Sequence, residues 1–388
     1  KIHKVNSFFA STDSKLLAHA DIIISDINLD LRSRKNGHYV NFDNFISGMK
    51  TIGKYMKRDA LVIVETTMPP GTSDKIAIPA ILKERIKRGI QSKLNYAYSY
   101  ERVMPGKNYL DSIINFWRVY SGNSNNSKKQ CKNFLEKIID IDNFPLTQLP
   151  NITSCETAKI LENSYRAVNI AFIDEWARFA EKSGVDLFSV IEAIKIRPTH
   201  SNIRYPGFGV GGYCLTKDPI FGKISSNQIF KNKGLTFPIS EKSVEINNKM
   251  PLQAISLLKK HFKNFKNIKI LIMGLSYRED TDDLRYSPSN TFAKKMINLG
   301  AKIYGHDPLV KTWVGFEEKQ IRKLNSNEKY DAIILAVAHK RYKSFNFKKF
   351  IGNKKTILVD ANNILSIKKI LKLQDQNIDL ISIGRGLK

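Results

Sequence analysis

A chain of 388 residues, 42% of them hydrophobic, is long enough for two or three domains with cores of their own. No apolar run in it approaches the roughly 20 residues of a membrane span, and no secretory signal is expected. Three distant cysteines, Cys131, Cys155 and Cys214, argue against a disulfide framework or a zinc site; no metal and a reducing, cytoplasmic setting are expected. The net charge of +27 would suit nucleic acid, but the lysines are scattered and follow no RNP, zinc-finger or basic-zipper pattern, so neither nucleic acid nor a membrane is expected as a partner.

In chain order, the opening Lys1-Ile-His-Lys4 reads as mid-domain material. Ile22 to Ser25 reads as a buried strand, Phe42 to Lys57 as a helix and Leu61 to Val64 as a second strand. The turn Thr66-Thr-Met-Pro-Pro-Gly-Thr72 follows, and Thr72 or Ser73 is expected to cap a helix over 74–87. Tyr96 to Ser99 and Arg118 to Tyr120 supply further strands, and Ser121 to Gln130 reads as a polar loop. Strands alternating with helices predict a parallel sheet. Residues 153–183 form one long helical pattern with apolar residues at three- and four-residue spacing, among them Ala158, Leu161, Tyr165, Val168, Phe172 and Trp176. Helices over 187–196 and 240–262 follow. From Ile268 a second α/β pattern opens, with strands at 270–273, 303–304, 332–336 and 357–360, a turn at Gly274 and Pro288 near the first turn of a helix. Residues 1–150, 151–250 and 251–388 are therefore taken as an N-terminal α/β domain, a helical middle and a C-terminal α/β domain.

The chemistry concentrates in Gly207-Phe-Gly-Val-Gly-Gly-Tyr-Cys-Leu-Thr-Lys-Asp-Pro219. It delivers Cys214 from a glycine-rich loop and sets Asp218 four residues on. A thiolate presented in this way attacks carbonyl carbon; a tight turn before a buried structural cysteine accounts for the same residues equally well. Lys159 and Asn163 lie four apart and share one face of the long helix. That is either a solvated polar stripe or a preorganised anion site.

The glycine loop is similar to the active-site loop of the nucleotide-sugar 6-dehydrogenases, a family that includes the UDP-glucose, GDP-mannose and UDP-N-acetylhexosamine enzymes. The resemblance extends over nearly the whole chain through Glu65 to Gly71, Tyr100 to Gly106, Ala158 to Tyr165, Asn169 to Glu175, Met273 to Pro288, Asp307-Pro308 and Asp360 to Asn363. It implies two Rossmann-like doubly wound domains joined by a central helical region with one long helix. It implies NAD as cofactor and a nucleotide sugar as substrate, oxidised at C6 to a uronic acid for surface polysaccharide. It also implies a homodimer formed through the central helix. Cys214 would be the nucleophile, Lys159 and Asn163 would hold the oxyanion, Asp218 would orient water or act as base, and Glu101 would assist hydrolysis. Thr67 and Arg285 would meet the cofactor. Arg278, Gly209, Gly211, Gly212 and Tyr205 would meet the substrate.

Several positions depart from the family pattern. Tyr100 stands where proline is usual, Arg278 where many relatives have lysine, and Asp26-Ile-Asn-Leu29 where relatives carry a Val-Pro-Thr-Pro-like run. The motifs as a set look most like the UDP-N-acetylhexosamine branch, although Tyr213 replaces that branch's usual histidine and Lys217 is of the UDP-glucose type; UDP-glucose stays open as an alternative. No stretch near the N-terminus fits a dinucleotide fingerprint, and no strand precedes Gly207-Phe-Gly-Val-Gly-Gly. The chain is therefore expected to lack the first strands of the cofactor domain. A second reading keeps the fold without the catalysis: a nucleotide-sugar-binding or dimerising remnant.

Overall fold

A computed structural model describes residues 8–34, 37–103, 106, 108–232, 234–325, 327–350, 356–374 and 378–386. The opening Lys1 to Lys4 and, within the Tyr100 to Gly106 motif, Met104 and Pro105 lie outside the described residues. Backbone contacts divide the chain into two units, Lys1–Glu162 with Ile220–Phe237, and Asn163–Pro219 with Pro238–Lys388.

In the first unit, strands β1 (Ile22–Ser25), β4 (Leu61–Val64), β5 (Asn95–Tyr98), β6 (Val119–Gly122) and β7 (Thr147–Gln148) form one sheet in that order. A short antiparallel hairpin, β2 (Leu31–Arg34) and β3 (Gly37–Val40), stands apart from it. β1, β4 and β5 run parallel, as expected, and β4 and β5 are buried on both faces. β6 departs from the parallel expectation: it pairs antiparallel with β5, then parallel with β7. The helix Asp43–Tyr55 falls where its periodicity places it. The expected polar loop over 121–130 is a correction. Residues Asn125–Leu135 form a helix whose N-cap, Ser124, accepts from the Ser127 amide at 3.1 Å, and Cys131 and Leu135 are buried on its inner face. The polar composition concealed a helix that buries only one narrow stripe.

The long helix is observed as Ile152–Ser183. Asn151 starts it, its side chain accepting from the Ser154 amide at 2.8 Å. The helix expected over 240–262 is two, Pro238–Lys249 and Leu252–Leu258, because Pro251 has no N–H to carry the ladder across.

In the second unit, β8 (Lys269–Met273), β9 (Lys302–His306), β10 (Ala332–Leu335), β11 (Thr356–Asp360) and β12 (Ile378–Ser382) form a parallel sheet ordered β12-β11-β10-β8-β9. Alternate residues feed two cores. Ile270, Ile272, Ile334 and Val359 pack with Phe208, Phe292 and Trp313 on one face. Leu271, Met273, Ile333 and Leu358 pack with Tyr342, Phe347 and Phe350 on the other. Burial on both faces explains why these strands read as continuous apolar runs. The strand order reverses at β8, whose neighbours are β9 on one side and β10 on the other, so the topological switch point lies at the carboxyl ends of β8 and β10.

Candidate active site

The carboxyl ends of β1, β4 and β5 bring Asp26, Glu65 to Thr67, and Ser99 to Glu101 to one edge of the N-terminal sheet. Burial, followed by the charge of Glu101, lifts the Asp26 carboxyl above the usual carboxylate range. Burial lifts Glu65 as well, against the pull of Arg118, whose Nη2 lies 2.6 Å from Glu65 Oε1. Thr67 sits half-buried in the turn after β4. The Glu101 carboxylate accepts from the Val103 amide of its own loop.

Three side chains from the start of the long helix fasten these loops. Glu156, fully buried, accepts from the backbone N–H groups of Gly71 and Ser73, the latter at 2.9 Å. This replaces the expected Thr72 or Ser73 cap: the Thr72 hydroxyl donates back to the Pro69 carbonyl, and the Ser73 hydroxyl pairs with Tyr96 at 2.9 Å. A distant carboxylate thus does the work of a local N-cap. Burial pushes Glu156 up to about 8, against those same N–H donors. Lys159, only 7% exposed, places Nζ 2.7 Å from the Glu101 carbonyl and 5.3 Å from the centre of the Tyr100 ring. Glu162 accepts from the Tyr100 hydroxyl at 2.9 Å and from Arg102 Nε at 3.1 Å.

The cysteine loop lies in the second unit. Cys214 is exposed, whereas Cys131 and Cys155 are buried, and burial raises both of their thiols, Cys131 to about 12. The alternative of a buried structural cysteine at 214 is thereby removed. One turn follows the thiol: the amides of Lys217 and Asp218 donate to the Cys214 carbonyl at 3.1 and 2.9 Å. Asp218 is fully buried, held by Asn163 Nδ2 at 2.7 Å and by Lys217 Nζ at 2.9 Å. Lys217 also lies 4.4 Å from the Tyr213 ring centre, and the Arg285 guanidinium lies 5.7 Å from it. Arg285 is clamped on Asp283 and accepts, through its carbonyl, from the Gly212 amide at 2.9 Å.

The glycines meet protein rather than open space. A Cβ on Gly211 would stand 2.6 Å from Tyr277 Cβ and 2.8 Å from the Tyr286 carbonyl, one on Gly209 would stand 2.9 Å from Pro288, and Gly212 has φ +80° beneath the Tyr277 ring. Tyr205 is stacked on Phe188, and its hydroxyl is bonded to Lys195 and Glu192. Arg278 Nε lies 3.8 Å from Glu279 Oε1.

At the switch point, Asp307 accepts from the Leu275 amide at 2.7 Å and from His339 Nε2 at 3.0 Å, while His339 Nδ1 accepts from the Asp280 amide at 3.1 Å. The Asp280 bond fixes the tautomer, leaving the Nε2 proton for Asp307. Against its burial, His339 and the backbone N–H groups bring Asp307 down to about 2. His339 and Lys217 are functional candidates that sequence reasoning missed. Lys217 carried a signal, a lysine beside the loop carboxylate. His339 carried none beyond its place after an apolar strand.

The comparisons with known proteins follow this layout. The UDP-glucose/GDP-mannose dehydrogenase family matches in all three of its parts, the NAD binding domain over residues 1–139, the central domain over 153–249 and the UDP binding domain over 271–367. The chain belongs to this family. A UDP-N-acetyl-D-mannosamine dehydrogenase of Pyrococcus horikoshii is 33% identical over 326 residues, which is 82% of this chain and 72% of the relative. Its counterpart in Methanocaldococcus jannaschii is 31% identical, over 82% of this chain and 69% of the relative. A solved structure of a UDP-D-ManNAc dehydrogenase from P. horikoshii superposes with a TM-score of 0.81 at 27% identity, over 97% of this chain and 84% of that one. The chain is an NAD-dependent oxidoreductase of the nucleotide-sugar dehydrogenases.

The expectation that the start of the cofactor domain is missing is not borne out, since the NAD binding domain matches from residue 1. The sheet edge fits the cofactor. Ser25 and Ser99, at the carboxyl ends of β1 and β5, are buried with hydroxyls that have no hydrogen-bond partner among the described residues. Neutral donors of this kind suit a carboxamide and ribose hydroxyls.

Proposed function

We propose that this chain oxidises the C6 hydroxyl of a UDP-N-acetylhexosamine to the carboxylate in two two-electron steps, through a covalent intermediate on Cys214. The branch motifs and the names of the relatives of about 30% identity support that choice of sugar, and a uronic acid of this kind serves surface polysaccharide. We infer functional boundaries near 150 and 250. The observation that carries the proposal is the turn joining the one exposed cysteine to a buried carboxylate, with Asn163 Nδ2 2.7 Å from Asp218 Oδ2 and the Asp218 amide on the Cys214 carbonyl.

Bound NAD supplies the hydride acceptor, one molecule for each oxidation. Ser25, Thr67 and Ser99 would hold it at the sheet edge, with Arg285 toward its phosphates. Arg278, Tyr205 and the loop glycines would hold the sugar nucleotide. In the first oxidation the hydroxyl proton leaves through a water ordered by Asp218, and the product is an aldehyde. The Cys214 thiolate then forms an Sγ–C6 bond, giving a thiohemiacetal whose oxyanion is met by the Asn163 amide and the Lys159 ammonium. The second oxidation leaves a thioester. Water adds to its carbonyl with Glu101 taking a proton, the C6–S bond breaks, and the thiolate departs with the electron pair.

Incubation of Cys214→Ser with NAD and, in parallel, UDP-N-acetylmannosamine, UDP-N-acetylglucosamine, UDP-glucose and GDP-mannose tests this reading. Loss of acid formation with the N-acetylhexosamine is expected. Acid made at the normal rate would remove the covalent route, and a wild-type preference for UDP-glucose would reassign the sugar.

We also infer a homodimer through the central helix. Tyr165, Phe172, Trp176 and Phe179 share its outer face at exposures of 54%, 50%, 46% and 54%, and the last three form an edge-to-face aromatic series. A contiguous apolar stripe of this kind marks a protein interface.

A further inference from the structure

The loop that follows β5 is held by a bonded cluster of side chains around the buried Tyr100. Three consecutive residues are tied to one helix. The Tyr100 hydroxyl donates to Glu162 Oε1 at 2.9 Å, the Glu101 carbonyl accepts from Lys159 at 2.7 Å, and Arg102 Nε donates to Glu162 Oε2 at 3.1 Å. Arg102 closes the cluster, with Nη2 3.1 Å from the Tyr100 hydroxyl, Nη1 2.5 Å from the Trp117 carbonyl and its guanidinium 5.1 Å from the Tyr100 ring centre. Tyr100 is fully buried, so its hydroxyl has no water to fall back on. Among residues 100–102 only the Glu101 side chain is not bonded to the helix in this way; its carboxylate is held by the Val103 amide of the loop itself.

We infer that Glu162, acting through Tyr100 and Arg102, is a positioning residue for the Glu101 carboxylate. It fixes the backbone on both sides of Glu101, so the one acidic side chain left over points where the loop aims it. Arg102 with Glu162 is a forked, charge-assisted pair, which restrains direction as well as distance. This inference rests on the role given to Glu101 in thioester hydrolysis. A displaced general base slows the step that needs it on the order of 10- to 100-fold and leaves the others alone.

The test uses the full chain with UDP-N-acetylmannosamine and NAD, under single-turnover and steady-state conditions, with intact-mass detection of the enzyme. In Glu162→Gln the amide oxygen at the Oε1 position still accepts from Tyr100 and Arg102 Nη2, but the –NH2 faces Arg102 Nε–H, which also donates, so one arm of the fork and the charge that holds the guanidinium are lost. NADH from the first oxidation should form at the wild-type rate and KM should hold. The kcat should fall about tenfold or more, with a Cys214-bound acyl species accumulating. Glu162→Asp, which restores the charge, should recover part of the loss. Tyr100→Phe should shift the same step in the same direction by less, and it decides alone should Glu162→Gln fail to fold. An unchanged kcat without acyl-enzyme, or an equal loss in both oxidations, would overturn the inference. If the wild type forms no Cys214 adduct at all, the covalent reading fails and this inference falls with it. An adduct in the wild type that is cleared at the same rate in Glu162→Gln sinks the positioning role alone.

Discussion

Glu156→Gln offers a direct measure of what the long helix does for the N-terminal unit. The carboxyl is fully buried and faces two backbone N–H groups. Burial places its folded value at about 8, against the ordinary 4.5 that it has in the unfolded chain. The folded state therefore holds the proton more tightly. The stability linked to that proton is present in full below about 4.5 and is lost as pH rises through about 8. At about 1.4 kcal/mol per tenfold change, the two values correspond to roughly 4 to 5 kcal/mol across the window. Glutamine is a neutral near-isostere that cannot titrate, so the variant should lack this slope. The assay is urea unfolding from pH 5 to 8.5 followed by the fluorescence of Trp117, which packs between Phe116 and Phe144, in a background carrying Trp176→Phe and Trp313→Phe. Relative to the variant, the wild type should lose roughly 4 kcal/mol between pH 5 and pH 8.5. A margin constant with pH would refute the reasoning. It would mean that the carboxylate stays ionised throughout, with two N–H donors and the start of the following helix outweighing burial.

Two further outcomes follow from the same geometry. Asp218→Asn removes one charge of the buried pair with Lys217, and breaking such a pair costs on the order of 3 to 5 kcal/mol; scanning calorimetry should show the second unit melting earlier, and an unaltered melt would contradict the buried pair. Trp176→Glu places a charge in the exposed aromatic stripe at a side chain 46% exposed, so the subunit should stay folded while sedimentation velocity shows loss of the dimer; unchanged sedimentation would exclude the helix as the interface.

Much of the fold was legible because its signals are local. The β8, β10 and β11 strands announce themselves as apolar runs since both of their faces are covered. The long helix announces itself by 32 residues without glycine or proline. What escaped was decided by partners distant in sequence. The helix at 125–135 hides its single buried stripe in polar surroundings, and β6 reverses its direction for reasons that no residue within it displays. The same division holds at the site. Cys214, Asp218 and Lys159 stand in motifs, so their identities could be read. Their surroundings could not: that Asn163 would meet Asp218, that Lys159 would hold the Glu101 carbonyl, or that Tyr277, Tyr286 and Pro288 pack so closely on the loop glycines that no Cβ fits there. Tyr100 shows the limit most clearly. In the sequence it is a single mismatch to a family pattern. In three dimensions it is one corner of a bonded cluster with Glu162 and Arg102, which no spacing within the motif displays.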